Sequence, residues 1–152
     1  MPGRSTERLH GKCMCGAVVL TIAPRRPELH ACNCEMCRRW TGAAFLEIDV
    51  RPADLEVSGP VKTFVSSSWA ERAWCDHCGS NLWYKLNVPG KEMFAVAAGL
   101  FDNAGGFTLT KEIYSDCTPD GFAFAGEHQR LTKQETEALY ASPAKEKPND
   151  QI

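Results

Sequence analysis

Short apolar segments rich in β-branched and aromatic residues alternate with turn residues along most of the chain. This pattern predicts strands, because each segment has strand length and ends at glycine or proline. The predicted strands are 17–22, 43–50, 55–57, 61–66, 81–86, 93–98 and 107–114. A succession of short strands joined by turns favours an all-β sandwich or barrel-like fold.

The C-terminal part has a different pattern. Thr132 begins a segment rich in alanine, leucine and glutamate that runs to about Tyr140, and it predicts a short helix with Leu131 as its hydrophobic lead-in. Residues 143–152 are polar and are predicted to be disordered. Since neither a repeat nor a linker divides the sequence, one domain is expected over residues 1–142, followed by the disordered tail 143–152.

Composition narrows the functional classes. The chain has 152 residues, of which 43% are hydrophobic and 24% charged, as in ordinary globular proteins. Its formal net charge of −2 gives no general attraction to nucleic acid or to anionic membranes. No apolar run approaches the span of about 20 residues that a membrane helix needs, and segment 1–12 does not resemble a signal peptide. A cytoplasmic, reducing location is expected, where eight cysteines indicate metal ligands better than disulfides.

The densest cysteine cluster lies near the start of the chain. Cys32, Cys34 and Cys37, here called the trio, fall within six positions. Three thiolates can hold one Zn²⁺ at about 2.3 Å each, which leaves the fourth tetrahedral position to a distant residue, a water or a substrate. A closed structural zinc knot, or cysteines buried simply as small apolar side chains, are the alternatives.

Four other cysteines form two outer pairs. Cys13 and Cys15 precede the first predicted strand, whereas Cys75 and Cys78 form a zinc knuckle followed by glycine. Four thiolates saturate tetrahedral Zn²⁺, so the simplest arrangement is one closed site from the two pairs and a second, incomplete site from the trio. An exchange in which one pair joins the trio remains open. Cys117 stands alone and is expected to be an unreactive thiol, with a fourth ligand or a redox nucleophile as alternatives.

Three motifs in order resemble the glutathione-dependent formaldehyde-activating enzyme family, which also includes centromere protein V. They are GKCMCGAV at 11–18, CNCEMCRR at 32–39 with Gly42, and WCDHCGSNL at 74–82. The resemblance covers roughly residues 9 to 131. It implies a β-tent fold, similar to methionine sulfoxide reductase B, with a structural zinc and a second zinc whose coordination glutathione or another small ligand completes.

The resemblance also assigns roles to individual cysteines. The structural zinc ligands are implied to be Cys13, Cys15, Cys75 and Cys78, and the second, catalytic site is implied to be Cys32, Cys34 and Cys37. Many relatives have a histidine where Glu112 precedes Ile113 and Tyr114, and a tryptophan shortly afterwards, where this chain has Gly121 and Phe122. These departures leave the substrate open, because the two positions are candidates for the lining of a pocket.

The implied activity is that of a carbon–sulfur lyase or synthase similar to S-(hydroxymethyl)glutathione synthase. A thiol, expected to be glutathione, would add to formaldehyde or another small aldehyde to give an S-hydroxymethyl adduct. Arg38 and Arg39 are candidates to offset the charge of the thiolates or to pair a glutathione carboxylate, and Trp40 is a candidate pocket wall or core residue.

Two other functional classes stand beside this one. A zinc-stabilised binding module without turnover is disfavoured because the chain has no sizeable basic patch. A thiol reductase using Cys117 would require that thiol to be exposed with a lowered pKa. The expected partners are therefore a small-molecule thiol and an aldehyde, with neither nucleic acid nor membrane.

Overall fold

The computed structural model describes residues 7–140. These residues form eleven strands and two short α-helices, which confirms the all-β class with a short C-terminal helix. The elements are β1 Leu9–Lys12, β2 Val19–Ile22, β3 Glu28–Cys32, α1 Glu35–Thr41, β4 Phe45–Val50, β5 Leu55–Ser58, β6 Val61–Ser67, β7 Ala70–Cys75, β8 Asn81–Leu86, β9 Met93–Ala97, β10 Thr108–Ile113, β11 Gln129–Arg130 and α2 Lys133–Tyr140.

The described residues divide into two compact units. The first unit comprises 7–29 and 47–108. It contains the antiparallel set β1-β2-β5 and, beginning with the 47–50 part of β4, the order β4-β9-β8-β7-β6. Alternation along β2 sends Leu20 and Ile22 into the core and leaves Val19 half exposed, as the two-residue period of a strand requires. The turns from β1 to β2 and from β7 to β8 carry the two outer cysteine pairs.

The second unit comprises 30–46 and 109–140, with the strand order β11-β10-β3-β4. Strands β10 and β11 run parallel, with Lys111 opposite Gln129 and Glu112 opposite Arg130. Helix α1 follows β3 almost directly and ends at Gly42, whose φ of 93° is the left-handed conformation that glycine adopts without strain. All three trio cysteines lie in the short segment from the end of β3 into α1.

Helix α2 begins with a capping box formed by Thr132 and Glu135. The Thr132 hydroxyl accepts a hydrogen bond from the Glu135 amide at 3.1 Å, and the Glu135 carboxylate accepts one from the Thr132 amide at 2.9 Å. No helix within residues 7–140 is long and apolar enough to cross a membrane.

All seven predicted strands are present, and their bounds differ from the prediction by at most two residues. The strand predicted over 17–22 begins at Val19, because the preceding residues form the turn that carries the first cysteine pair. The sequence pattern did not predict strands β1, β3, β7 and β11 or helix α1. Helix α1 has seven residues and is too short to show a helical period in the sequence. The single domain over 1–142 stays a prediction, and the disordered tail predicted for 143–152 lies outside the described residues.

Candidate metal centres

The two outer pairs converge in the first unit. The Sγ atoms of Cys13, Cys15, Cys75 and Cys78 all lie within 4.8 Å of one another. The Cys13 and Cys15 sulfurs are 3.6 Å apart, and those of Cys15 and Cys75 are 3.9 Å apart. Four sulfurs bound to one tetrahedral Zn²⁺ at 2.3 Å would be separated by about 3.8 Å. The geometry of these four thiols therefore fits a closed zinc site.

Backbone amides turn toward the sulfurs on both sides of this site. The Cys75 Sγ accepts hydrogen bonds from the amides of His77 at 3.3 Å and Cys78 at 3.4 Å. On the other turn, the Cys13 Sγ accepts one from the Val18 amide at 3.3 Å. Amide donors stabilise a thiolate more than a thiol, so the local folds of both turns favour metal-ligating cysteines.

Ser80 connects the two ligand turns. Its hydroxyl oxygen accepts a hydrogen bond from the Met14 amide at 3.0 Å and lies 3.2 Å from the Cys78 Sγ. A serine hydroxyl can accept one hydrogen bond while it donates another, so Ser80 can donate its hydrogen to a Cys78 thiolate while it accepts from Met14. The side-chain and backbone hydrogen bonds of Ser80 lower the pKa of the Cys78 thiol to about 5, although burial acts in the opposite direction. The sequence motif did not assign Ser80 this role.

The thiols of this site perturb one another. Burial acts to raise the pKa of Cys13, but hydrogen bonds from the Val18 amide and from neighbouring thiols outweigh it, so that this pKa is lowered. For Cys15, the Ala17 amide acts to lower the pKa, but burial and the adjacent thiols raise it to about 11. Four adjacent thiolates repel one another, and a divalent cation between them would offset much of that repulsion.

The trio forms a separate group in the second unit. Its three Sγ atoms lie within 4.8 Å of one another, and no other His, Cys, Asp or Glu among residues 7–140 belongs to this group. The side chains are buried, with exposed fractions of 6% for Cys32, 7% for Cys34 and 4% for Cys37. Three soft, convergent sulfurs fit a zinc ion with one coordination position left to a ligand from outside the group.

Helix capping explains how two of these thiols come to face each other. Cys34 is the N-cap of α1, and its Sγ accepts a hydrogen bond from the Cys37 amide at 3.4 Å. The CxxC spacing therefore spans the N-cap and the third helical position, where an N-cap side chain ordinarily reaches. Hydrogen bonds with the Cys34 and Cys37 thiols, together with burial, raise the pKa of Cys32 well above its ordinary value.

The three residues that follow the trio have different surroundings. Arg39 is exposed and forms an ion pair with Glu35, with its Nη2 2.8 Å from the carboxylate. Arg38 is half-buried, and its Nε donates to the Asn33 carbonyl oxygen at 3.3 Å. Trp40 packs against the buried Phe45 ring with a centroid separation of 5.3 Å. Arg38 is therefore the member of the arginine pair that is held beside the trio segment.

Cys117 does not belong to either thiol group. It ends a short 3₁₀ turn, Ser115–Cys117, and is half-buried. Burial and the charge of Asp116 raise its pKa, against the opposing effects of Lys133 and Arg38. A raised pKa is the opposite of what the thiol reductase hypothesis requires.

Sequence reasoning did not find a buried polar network next to the trio. Asn33, between Cys32 and Cys34, is fully buried and donates its side-chain amide to the Glu112 carboxylate at 3.4 Å. The other oxygen of Glu112 lies 2.5 Å from the His128 Nε2. In the sequence, the only indication of this network is that Glu112 stands where many relatives have a histidine. The contact with His128 could not be predicted, because it depends on the parallel pairing of β10 and β11.

Comparisons with known proteins identify the family of this chain. The family model for the glutathione-dependent formaldehyde-activating enzyme matches residues 8–117. A protein of Schizosaccharomyces pombe described as an uncharacterized lyase is 30% identical over 126 residues, which are 82% of this chain and 91% of that protein. The crystal structure of a Rhodobacter sphaeroides protein is similar in fold, with a TM-score of 0.51 and 21% identity over 67% of this chain and 100% of the other. The family model matches more than half of this chain. This chain therefore belongs to the glutathione-dependent formaldehyde-activating enzyme family.

Proposed function

We propose that this protein is a zinc-dependent carbon–sulfur lyase or synthase that joins a thiol to a small aldehyde. The thiol is glutathione and the aldehyde is formaldehyde or a close analogue. The family match and the lyase name of the yeast relative support an enzyme of this class. The observation that carries the proposal is the trio: three buried, convergent thiols whose group includes no fourth His, Cys, Asp or Glu among residues 7–140.

The reaction balances without any further reactant. A bond forms between the thiol sulfur and the carbonyl carbon, and the thiol proton ends on the former carbonyl oxygen, which gives the S-hydroxymethyl adduct. In the reverse direction the same carbon–sulfur bond breaks. A zinc ion held by the trio would supply an open, Lewis-acidic coordination position that lowers the pKa of an incoming thiol.

Strand β3 and helix α1 hold the three thiols around the proposed zinc position. The end of β3 supplies Cys32, and the first turn of α1 supplies Cys34 and Cys37 in a spacing that the helix cap fixes. Burial of the three sulfurs keeps water from competing at the site, and it strengthens the electrostatic interactions there. Reduced thiols and reduced glutathione both call for a reducing compartment, so we place the reaction in the cytoplasm.

Arg38 is the residue that we assign to recognition of a glutathione carboxylate. Its Nε is held by the Asn33 carbonyl, and no other hydrogen bond engages its guanidinium within residues 7–140. The two terminal nitrogens can therefore form the paired hydrogen bonds with which arginine binds a carboxylate. Arg39 is less suited to this role, because its guanidinium is already paired with Glu35.

The test combines metal analysis with a direct assay. Native mass spectrometry of zinc-supplied protein should show two zinc ions per chain, and glutathione should change the absorption spectrum of one cobalt-substituted site. Nuclear magnetic resonance should detect the S-hydroxymethyl adduct forming from glutathione and formaldehyde faster than in the protein-free mixture. The Cys34→Ser variant should lose this acceleration, whereas the matched Cys117→Ser variant should keep it.

Three results would each contradict one part of this proposal, and the absence of turnover would favour a non-catalytic binding module. A single zinc per chain after zinc supply, with the trio empty, would contradict the proposed site. Two zinc ions with a cobalt spectrum that glutathione does not change would contradict the proposed thiol ligand. Adduct formation at the protein-free rate would contradict turnover.

A further inference from the structure

A buried carboxylate and a buried imidazole lie together in the second unit. The Glu112 residue is 4% exposed, and the His128 side chain is 1% exposed. The Glu112 Oε2 lies 2.5 Å from the His128 Nε2 and 3.4 Å from the Arg130 Nε. Burying a carboxylate is costly unless its oxygens are paired, and here both oxygens have partners.

The second oxygen of Glu112 connects this pair to the trio segment. Its Oε1 accepts a hydrogen bond from the Asn33 Nδ2 at 3.4 Å. The Asn33 main-chain amide donates to the Ile113 carbonyl at 3.1 Å, and its own carbonyl accepts from the Arg38 Nε at 3.3 Å. The Asn33 side-chain amide also donates to the Ile113 carbonyl at 3.4 Å. The side chain, main-chain amide and carbonyl of Asn33 are therefore all held, by Glu112, Ile113 and Arg38.

The hydrogen bonds of Asn33 matter for the trio because of where Asn33 lies in the chain. It is fully buried between Cys32 and Cys34, so any rotation of its peptide units would move the two neighbouring thiols. The spacing of metal-ligating sulfurs must be held within a few tenths of an ångström, and outer partners of ligands commonly provide that precision.

We propose that Glu112 and His128 are positioning residues that act through Asn33 on the spacing of the trio thiols. His128 and Arg130 hold one carboxylate oxygen of Glu112, which keeps the other directed at the Asn33 amide. The parallel register that sets Glu112 opposite Arg130 brings His128 into reach. This inference rests on the proposed function in one respect, namely that the trio binds a metal ion.

The consequence is measurable as the metal affinity of the trio. Glu112→Leu and His128→Leu remove the polar pair, and Asn33→Ala removes its link to the trio while leaving the pair in place. Each variant should weaken binding of zinc at the trio by about tenfold or more, the effect usual when a partner that orients a metal ligand is lost. Glu112→Gln should recover part of the affinity, because the glutamine oxygen can still accept the hydrogen bond from the Asn33 side-chain amide.

The experiment uses the full chain loaded with two zinc ions and a chromophoric chelator as competitor. The absorption spectrum of protein with zinc in the first site and cobalt in the trio reports the geometry of the sulfur ligands. Glu56→Leu and His10→Leu are the matched controls, since Glu56 makes an exposed ion pair with Arg8 and His10 an exposed hydrogen bond with Thr21. The controls should leave both the affinity and the spectrum unchanged.

The outcomes separate this inference from the proposed function. If wild-type protein never takes up a second metal, the proposed function fails. If wild-type protein takes it up but Asn33→Ala and His128→Leu bind it with the same affinity and spectrum, the positioning inference is overturned, even if their melting temperatures fall. Failure of all three disruptive variants to fold would likewise overturn it, because the network would then serve the fold and not the trio.

Discussion

Arg38 donates its Nε hydrogen to the carbonyl oxygen of Asn33 at 3.3 Å, and this contact distinguishes it from its neighbour Arg39. Arg39 is directed to the surface, where it pairs with Glu35. Two adjacent arginines that look equivalent in the sequence therefore have different surroundings. Arg38 is held beside the trio segment through its Nε, which leaves its two terminal nitrogens for a ligand. Arg39 forms an exposed ion pair with Glu35 within the helix.

The first prediction concerns glutathione recognition. Arg38→Gln should weaken glutathione binding about 10- to 100-fold, because a hydrogen bond to a charged group contributes about 1.5–3 kcal/mol. Arg39→Gln should change it by less than about twofold, since an exposed ion pair contributes little. Isothermal titration calorimetry with the zinc-loaded protein measures both. Equal losses in the two variants would remove Arg38 from its assigned role.

The second prediction concerns the closed site. Cys75→Ser should release one zinc ion per chain and strongly destabilise the first unit, because metal-binding free energies of about 10–16 kcal/mol are coupled to folding in structural zinc sites. Thermal melting and zinc analysis measure these effects, with Cys117→Ser as the control that keeps both metals. A Cys75→Ser protein with unchanged zinc content and melting temperature would show that the outer pairs do not hold a metal.

The third prediction concerns Ser80, which lies 3.2 Å from the Cys78 sulfur. Ser80→Ala removes the acceptor of the Met14 amide and the donor to the Cys78 sulfur. The variant should lose about 1 kcal/mol of stability and release zinc from the closed site about tenfold faster in the presence of a chelator. Ser58→Ala, also in the first unit, serves as the control. An unchanged release rate would show that the hydroxyl does not support the metal ligand.

The fourth prediction concerns the pH dependence of Cys117. Burial and the Asp116 carboxylate raise the pKa of this thiol, so at neutral pH its reactive thiolate is rarer than in an ordinary cysteine. Alkylation of Cys117 by iodoacetamide should therefore be slow at pH 7 and should rise about tenfold per pH unit until the raised pKa is reached. Peptide mapping by mass spectrometry on zinc-loaded protein measures the rate. Fast alkylation at pH 7 that does not rise with pH would indicate a lowered pKa and would revive the reductase hypothesis.

The fifth prediction concerns a close backbone approach. A Cβ atom at Gly59, where φ is 120°, would lie 2.2 Å from the carbonyl oxygen of Ala17. Gly90 also has a left-handed φ of 80°, but a Cβ there would meet nothing within 4 Å. Gly90→Ala should cost about 1–2 kcal/mol of unfolding free energy from backbone strain alone, and Gly59→Ala clearly more. Urea denaturation measures both, and equal costs would show that the chain relaxes around the added methyl group.

Much of the fold could be predicted because strands leave local signals. The alternation in β2, the apolar run of β9 and the capping box at Thr132 each lie within a few residues of sequence. Helix α1 could not be predicted, because a seven-residue helix capped by a cysteine shows neither a helical period nor an ordinary cap residue.

The sequence by itself determined the chemistry of this protein: seven thiols in three local groups, their spacing, and a family that the spacing identifies. Ligand motifs are local because one turn must present two or three sulfurs to one ion. The tertiary structure decided the rest. It brought the outer pairs together, separated Arg38 from Arg39 by their contacts, and buried Glu112 against His128 beside Asn33. These relationships depend on strand register and on contacts between residues distant in sequence, which the order of residues alone does not display.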